Sequence, residues 1–333
     1  MAEKIGVIGA GAWGTALAML LADKGHNVTL WMYEKDLAGE TSRTRENRVY
    51  LPGFALPEAI TVTSSLENTV TDSALLLSVV PSHTVRAVTK QYASFLARDA
   101  IIISASKGIE IETLMPLSEI FKDVLPAAFH NRLCFLSGPS FAKEVAQKMP
   151  TAITLASYDP AVGKIAQEIL SNAYFRVYTN LDVIGVELAG SLKNVVAIAA
   201  GALQGMGFGS NTMAALLTRG LAEIARLGVA LGGSVTTFSG LAGMGDLVLT
   251  CTGGLSRNRS LGARLGAGEK LEDILRGAKT IAEGVKTTKA ARELAKKHHI
   301  EMPIVDEVYQ ILYEHKDPKK ALQDLMAREL KAE

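Results

Sequence analysis

The stretch that decides the fold lies near the start of the chain and reads KIGVIGAGAWGTALA over residues 4–18. A short apolar run leads into three glycines spaced as G-x-G-x-x-G, and a run rich in Ala and Leu follows them. In such a strand–turn–helix unit Gly9 permits the tight turn, Gly11 lets the backbone approach a pyrophosphate, and Gly14 lets the helix pack close to the strand. The stretch therefore predicts a dinucleotide site at the helix N-terminus, whose unpaired N–H groups bind the phosphates.

Strand-like and helix-like segments alternate along residues 1–180. Several strand candidates are continuous apolar runs, as expected for strands covered on both faces. The alternation predicts a Rossmann-type α/β domain with a parallel, doubly wound sheet. The predicted strands are Lys4–Gly9, Asn27–Trp31, Ala74–Val79, Ala100–Ser104, Leu133–Ser137, Thr151–Ala156 and Tyr174–Tyr178, with helices such as Trp13–Lys24 and Thr84–Ala97 between them.

Residues 181–333 carry no strand signal. Their long Ala- and Leu-rich segments predict an all-α C-terminal domain that follows the last strand without a loose linker. The predicted helices are Leu181–Gln204, Thr212–Leu231, Ile281–Lys297, Met302–His315 and Pro318–Lys331.

The composition gives no reason to expect a nucleic acid, a membrane or a metal ion as a partner. The formal net charge is +1 over 333 residues, which does not favour nucleic acid or an anionic membrane. The longest uncharged stretch, residues 195–218, contains four glycines and several polar residues, so stable membrane insertion is not expected. No signal peptide is evident, and Cys134 and Cys251 fit buried thiols in a reducing compartment. We therefore expect a cytoplasmic protein. Since the six histidines show no metal-ligand spacing, we also expect no metal site.

The preference between NAD and NADP stays open at the sequence level. Glu34 lies about twenty residues beyond the glycines, where an acidic side chain binds the ribose 2′-hydroxyl of NAD. One of the cations that follow could instead bind the 2′-phosphate of NADP. These cations are Lys35, Arg43, Arg45 and Arg48. A third interpretation is that Glu34 and Lys35 form an exposed pair at the end of a strand.

Three polar segments follow predicted strands at their carboxyl ends, where open α/β sheets bind ligands. They are residues 80–83, 104–108 and 137–142. Lys107 is the only charged residue of its segment, so it is a candidate for binding a substrate carbonyl or phosphate, although most loop lysines are simply solvated.

Lys193 is the only charged residue between Leu188 and Thr218. At helical spacing its face consists of small and apolar residues, which would desolvate the ammonium and suit it to proton transfer. A lysine that extends its head group out to water is an equally good interpretation of the same pattern.

A second group of candidates lies further along the helical half. Asp246 and Thr250 are spaced one helical turn apart, on one face. The loop TGGLSRNRS over residues 252–260 combines glycines, a capping serine and arginines at a helix start, which predicts an anion site. Arg257 is suited to bidentate binding of a phosphate. A turn with solvated arginines is the alternative.

Taken together, these segments resemble the NAD(P)-dependent glycerol-3-phosphate dehydrogenases of the bacterial type. The similarity runs from residue 5 to beyond residue 280. The matching motifs are GAGAWGTA (9–16), VPSH (80–83), KG (107–108), SGPSFA (137–142), KN (193–194), GDLV (245–248), SRN (256–258) and EG (283–284).

The resemblance implies reversible conversion of sn-glycerol 3-phosphate and NAD(P)⁺ into dihydroxyacetone phosphate and NAD(P)H, mainly to supply phospholipid synthesis. It implies that Lys193 transfers the proton at the C2 oxygen. The implied substrate contacts are Lys107, Gly138, Ser140, Lys193, Asp246, Ser256, Arg257 and Asn258. The implied cofactor contacts are Gly9, Gly11, Trp13, Gly14, Glu34, Lys107, Ala142, Arg257, Ile281 and Glu283.

The same resemblance implies a homodimer. One departure concerns the cofactor, because many bacterial members carry an arginine where this chain has Met32-Tyr33-Glu34, and strict use of NADP is therefore not expected. Two alternatives are a dehydrogenase of 3-hydroxy acids or of a ketopantoate-like substrate, and a non-catalytic nucleotide sensor. A sensor has no need of a desolvated base such as Lys193.

Overall fold

The structure is a computed structural model that describes residues 3–276, 282–330 and 332. Its strands are β1 (Lys4–Ile8), β2 (Asn27–Trp31), β3 (Ile60–Thr63), β4 (Leu75–Ser78), β5 (Ile101–Ser104), β6 (Leu133–Ser137), β7 (Thr151–Ser157) and β8 (Phe175–Asn180). Within the described residues they form one sheet in the order β3-β2-β1-β4-β5-β6-β7-β8. Neighbouring strands are parallel except β6 and β7.

Seven α-helices among the described residues accompany the sheet, and nine follow from residue 183 onward. The first group is α1 (Ala12–Asp23), α2 (Lys35–Thr44), α3 (Leu66–Val70), α4 (Val85–Tyr92), α5 (Leu117–Val124), α6 (Ala142–Ala146) and α7 (Pro160–Leu170). The second group is α8 (Val183–Gly205), α9 (Ser210–Ala230), α10 (Val235–Phe238), α11 (Asp246–Thr252), α12 (Arg257–Gly266), α13 (Leu271–Arg276), α14 (Glu283–Lys297), α15 (Pro303–Tyr313) and α16 (Pro318–Met326).

The predicted fold class, a Rossmann-type sheet followed by an all-α part, is confirmed with two local differences. The strand β3 was not predicted; it has four residues, lies at the sheet edge and is buried only at Ile60. The predicted sheet was parallel throughout, whereas β7 runs antiparallel to β6. The connection over residues 138–150 holds only the five-residue helix α6, which packs against α1. The chain therefore re-enters the sheet from the carboxyl end of β6.

The chain divides into two compact units. The sheet unit comprises Met1–Lys107 and Met115–Val186, and the helical unit comprises Gly108–Leu114 and Glu187–Glu333. The short segment belongs with the helices because the Gly108 N–H donates a hydrogen bond of 2.9 Å to Ser191 Oγ on α8. The division into a cofactor domain over 1–180 and a substrate domain over 181–333 stays a prediction.

Glycines allow α8 and α12 to pack with their backbones in contact. A Cβ built on Gly201 or Gly205 of α8 would lie 2.0–2.1 Å from a carbonyl oxygen of α12. A Cβ on Gly262 or Gly266 of α12 would lie 2.0–2.2 Å from a carbonyl oxygen of α8. The two pairs are each spaced four residues apart, on one helix face. This close approach fixes the start of α12 beside the middle of α8.

Helix α8 is also the one described helix that is long and apolar enough to cross a membrane. Its most apolar window has a mean hydropathy of 1.6, and 83% of that window is buried inside the structure. Burial of this kind is that of a core helix.

Candidate active site

The glycine turn of the sheet unit has the geometry that a dinucleotide site needs. Gly9 adopts a φ of +108°, and a Cβ there would lie 2.7 Å from the Val79 carbonyl oxygen. A Cβ on Gly14 would lie 1.8 Å from the Gly9 carbonyl oxygen, whereas a Cβ on Gly11 would have no protein atom within 4 Å. Helix α1 begins directly after Gly11, with no side-chain cap and no acidic residue in its first turn. The turn is therefore closed where strand and helix meet and open where a pyrophosphate approaches, so these residues fit the cofactor.

Asn47 stabilises this turn and was not among the predicted site residues. Its side-chain amide is fully buried and donates hydrogen bonds of 2.8 Å to the Ala10 carbonyl oxygen and to Thr15 Oγ1. Its own Oδ1 accepts from the Tyr50 N–H at 3.2 Å. Asn47 lies in the polar run TRENRVY, where no pattern distinguishes a buried amide from an exposed one.

The remaining candidates of the sheet unit lie along the carboxyl ends of its strands. Gly138, after β6, has a φ of +147°, and its carbonyl oxygen accepts a 3.0 Å hydrogen bond from Ser140 Oγ. Ala142 begins α6 and, like Trp13, packs partly buried against the core of the unit. Lys107 follows β5 and is half-buried. It is the last residue of Met1–Lys107, the first of the two segments that make up this unit.

In the helical unit, Lys193 is buried and paired with a carboxylate. Only 6% of Lys193 and 1% of Asp246 is exposed. Lys193 Nζ donates a hydrogen bond to Asp246 Oδ1 and another, of 2.8 Å, to Thr250 Oγ1. The Thr250 hydroxyl in turn lies 3.4 Å from Asp246 Oδ1. Of the two interpretations left open by the sequence, the structure therefore supports the desolvated lysine.

Two local features bring Asp246 and Thr250 to this position. Both lie on α11, spaced one turn apart as predicted. A π-helical turn over Leu241–Gly245 leads directly into α11, and such turns occur frequently at functional sites. The turn is tightly packed, since a Cβ on Gly243 would lie 2.0 Å from the Phe238 carbonyl oxygen. Asp246 is thus held at the first residue of a rigid helix.

The start of α12 has the features of an anion site. Ser256 caps the helix by accepting a 3.2 Å hydrogen bond from the Arg259 N–H. Arg257 is the first helical residue and is exposed, and its guanidinium has no partner among the described residues. The first turn contains no acidic residue. A helix N-terminus with an available arginine supplies the N–H groups and the positive charge that phosphate groups bind in proteins.

Asn258 ties this helix start to two other helices. Its Oδ1 accepts a 2.9 Å hydrogen bond from the Gly284 N–H at the start of α14, and its Nδ2 donates one of 2.9 Å to Asn194 Oδ1 on α8. A Cβ on Gly284 would lie 2.7 Å from both the Asn194 carbonyl oxygen and Asn258 Oδ1. Asn194 follows Lys193 directly, so the hydrogen bonds of Asn258 also fix the backbone that carries the lysine.

The three remaining candidates are predicted to contact the cofactor. Glu34 follows β2, is exposed and accepts a 3.0 Å hydrogen bond from the Tyr50 hydroxyl. Glu283 is the first residue of α14. Ile281 lies outside the described residues. Among the described residues no group of three or more His, Cys, Asp or Glu side chains is placed to hold a metal ion.

Comparison with known families agrees with this geometry. Residues 4–163 match the N-terminal part, and residues 182–323 the C-terminal part, of the NAD-dependent glycerol-3-phosphate dehydrogenases. The chain belongs to this family. The resemblance predicted from the motifs is confirmed, and with it an NAD(P)-dependent enzyme.

Individual members of the glycerol-3-phosphate dehydrogenase family match along their whole length. The glycerol-3-phosphate dehydrogenase (NAD(P)+) of Geobacter sp. (strain M21) is 56% identical, covering 100% of this chain and 99% of the relative. The crystal structure of the enzyme from Coxiella burnetii is 41% identical, covers 98% of this chain and 99% of its own, and superposes with a TM-score of 0.93. A ketopantoate reductase from Ralstonia eutropha JMP134 is 16% identical with a TM-score of 0.62, covering 96% of this chain and 99% of its own. That likeness shows the fold alone.

Proposed function

We propose that this enzyme interconverts sn-glycerol 3-phosphate and dihydroxyacetone phosphate with NAD(P)⁺ and NAD(P)H, and that it supplies glycerol 3-phosphate for phospholipid synthesis. The observation that carries the proposal is the buried Lys193 ammonium held by Asp246 and Thr250. A binding protein has no need of a buried proton donor, whereas reduction of a carbonyl requires one.

We assign the proton transfer to Lys193. The adjacent Asp246 carboxylate favours the ammonium form of the lysine, which is the form that donates a proton during reduction. Nζ donates this proton to the C2 carbonyl oxygen of dihydroxyacetone phosphate and takes it back from the C2 hydroxyl in the reverse direction. Thr250 keeps Nζ in position while the lysine loses and regains its charge, because the Thr250 hydroxyl accepts a hydrogen bond from Nζ and lies near the Asp246 carboxylate.

We assign the substrate phosphate to the start of α12. Arg257 and the first-turn N–H groups supply positive charge, Ser256 caps the helix, and Asn258 supplies an amide. Lys107, Gly138, Ser140, Lys193 and Asp246 are assigned to the glycerol part by the family resemblance.

We assign the dinucleotide to the open glycine turn. Gly9, Gly11 and Gly14 shape the turn around the pyrophosphate, and Trp13, Glu34, Lys107, Ala142, Arg257, Ile281 and Glu283 complete the contacts implied by the resemblance. The chemistry that a bound nicotinamide supplies is hydride transfer at C2 of the substrate. The enzyme is further proposed to be a cytoplasmic homodimer without membrane insertion, which light scattering and cell fractionation test.

The test of the reaction is the loss of absorbance of NADH and of NADPH in the presence of dihydroxyacetone phosphate. We expect oxidation of at least one of them. The absence of turnover in a protein that binds the cofactor would contradict the proposal.

Arg257→Ala tests the phosphate assignment. Because the bidentate charged contact is lost, KM for dihydroxyacetone phosphate should rise about 30- to 150-fold. Turnover of unphosphorylated dihydroxyacetone, measured at the same enzyme concentration, should be the same in the variant and in the unmodified enzyme. Arg264→Ala is the matched control, since Arg264 is a half-buried arginine of the same helix and forms an ion pair only with Glu269 among the described residues. An equal loss with both substrates would remove Arg257 from this role.

A further inference from the structure

The open question of NAD or NADP has an answer in the contacts around the end of β2. The Gly9 N–H donates a 3.2 Å hydrogen bond to the Trp31 carbonyl oxygen, so the glycine turn lies directly beside the end of β2. Glu34 is three residues further along, at the N-cap position of α2, where its backbone is extended and its side chain makes no capping hydrogen bond. A carboxylate at this position relative to the turn binds the ribose 2′- and 3′-hydroxyls and repels a 2′-phosphate.

The Glu34 carboxylate is oriented by Tyr50. The Tyr50 hydroxyl donates a 3.0 Å hydrogen bond to Glu34 Oε1. Partial burial, and then the bond to Glu34, raises the pKa of the Tyr50 hydroxyl, so the hydroxyl remains a donor across the physiological range. One oxygen of Glu34 is thus engaged and the other is left for a ligand.

Asn47 connects this pair to the cofactor turn. The Tyr50 N–H donates to Asn47 Oδ1 at 3.2 Å, and the Asn47 amide donates to the Ala10 carbonyl oxygen at 2.8 Å. Ala10 lies between Gly9 and Gly11. A continuous chain of hydrogen bonds therefore fixes Glu34 relative to the residues proposed to hold the pyrophosphate.

Two of the candidate cations for a 2′-phosphate are committed elsewhere. The Arg45 guanidinium donates to the backbone carbonyl oxygens of Ile60 at 2.9 Å, of Leu56 at 3.3 Å and of Pro57. Arg48 pairs with Glu46 at 3.2 Å and with Glu40 at 4.0 Å.

The other two cations are exposed, and their side chains have no partner among the described residues. Arg43 lies nine residues beyond Glu34, which is about 13 Å along α2. Lys35 is adjacent to Glu34, so a 2′-phosphate that reached it would also meet the carboxylate.

We propose that Tyr50 is a positioning residue which, by holding Glu34 toward the ribose, makes this enzyme select NAD(H) over NADP(H). The inference rests on the proposed function, because it requires the dinucleotide at the glycine turn. It concerns Tyr50 and Glu34 of this chain and a choice between two cofactors that the family name leaves open.

The test is equilibrium binding of NADH and NADPH to the enzyme without substrate, followed by nicotinamide fluorescence. We expect the unmodified enzyme to bind NADH at least tenfold more tightly than NADPH. Glu34→Gln should reduce this ratio about tenfold or more, since a charged hydrogen bond and a repulsion are both lost. Tyr50→Phe should reduce the ratio about three- to tenfold, mainly by weakening NADH, because the carboxylate is no longer directed.

Tyr174→Phe is the matched control, because the Tyr174 hydroxyl also donates to a carboxylate of the sheet unit, Asp23 Oδ2, at 3.2 Å. It should leave the ratio unchanged. The inference is overturned if the unmodified enzyme binds NADPH as tightly as NADH, if Tyr50→Phe behaves like the control, or if Lys35→Ala or Arg43→Ala selectively weakens NADPH. If neither dinucleotide binds, the proposed function fails as well, whereas a wrong preference overturns only the inference.

Discussion

The sheet unit and the helical unit build their candidate sites from different groups. The sheet unit uses backbone at glycines, and the helical unit uses buried side chains. In the sheet unit the decisive residues are glycines, and the space around Gly11 is open because a side chain is missing. In the helical unit the decisive group is the side chain of Lys193, buried against a carboxylate and a hydroxyl. One site is therefore damaged by adding atoms and the other by removing them. Variants of both kinds test this difference.

Removing the Lys193 side chain should have the largest effect. We expect Lys193→Ala to lower kcat about 10²- to 10⁴-fold, the usual contribution of a positioned acid–base group. The fold and cofactor binding should persist, since the buried Asp246 can take up a proton once its partner is gone. Turnover, circular dichroism and NADH binding are measured together.

Lys289→Ala is the control for this variant, because Lys289 is exposed on α14 of the same unit. It should leave kcat unchanged. Substantial activity in Lys193→Ala would show that another group transfers the proton.

Adding a methyl group to Gly262 tests whether the contact between α8 and α12 in the helical unit also tolerates no added atoms. Its Cβ would lie 2.0 Å from the Ile198 carbonyl oxygen, and backbone cannot move aside as a flexible side chain does. We expect Gly262→Ala to lower the free energy of unfolding by about 3 kcal/mol. Gly254→Ala, whose Cβ would meet nothing within 4 Å, should change it by less than about 0.5 kcal/mol. Denaturant titration measures both, and equal stabilities would show that the two helices separate easily.

The sequence predicted the fold class because its signals are local. The run KIGVIGAGAWG specifies a strand, a turn and a helix by itself, and continuous apolar runs mark most of the other strands. The edge strand β3 was missed because ITVT is short and only its first residue is buried. The direction of β7 depends on where α6 packs, which is a tertiary contact and leaves no periodicity in the sequence.

The candidate site was predictable to the same extent. The spacing of Asp246 and Thr250 follows from helix geometry and could be read directly. The pairing of Lys193 with Asp246 joins residues 53 positions apart, so the sequence left burial and solvation of the lysine equally open. Asn47 and Tyr50 act only through contacts with residues distant in the chain, and neither residue type marks such a role.

Glu223 is a buried side chain of the helical unit that should make stability depend on pH. It is 3% exposed on α9, and its carboxylate accepts hydrogen bonds of 2.9 and 3.1 Å from the Ile304 N–H at the start of α15. Burial raises the pKa of Glu223 to about 7 from its ordinary value of 4.5, against the opposing effect of these hydrogen bonds. Because the folded protein binds this proton more tightly than the unfolded chain, the associated stability is complete below pH 4.5 and is lost as the pH rises to about 7.

The loss amounts to about 3 kcal/mol by linkage. Glu223→Gln should remove this part of the pH dependence, because an amide does not titrate. Unfolding of both proteins is followed at several values between pH 4.5 and pH 8, and parallel profiles would show that the carboxylate stays charged in the fold.

Adding a methyl group to Gly11 should have the smallest effect on the free energy of unfolding. It also gives the sharpest test of the difference between the two units. Gly11 has a φ of −62° and a ψ of 176°, which alanine adopts readily, so the free energy of unfolding should change by only about 0.5 kcal/mol. The methyl group would nevertheless occupy the space proposed for the pyrophosphate, and we expect NADH binding to weaken about 10- to 100-fold through lost contacts to its charged oxygens. Gly39→Ala, equally open but placed within α2, should bind NADH normally. Normal binding by Gly11→Ala would mean that the open space beside α1 is not where the dinucleotide approaches the backbone.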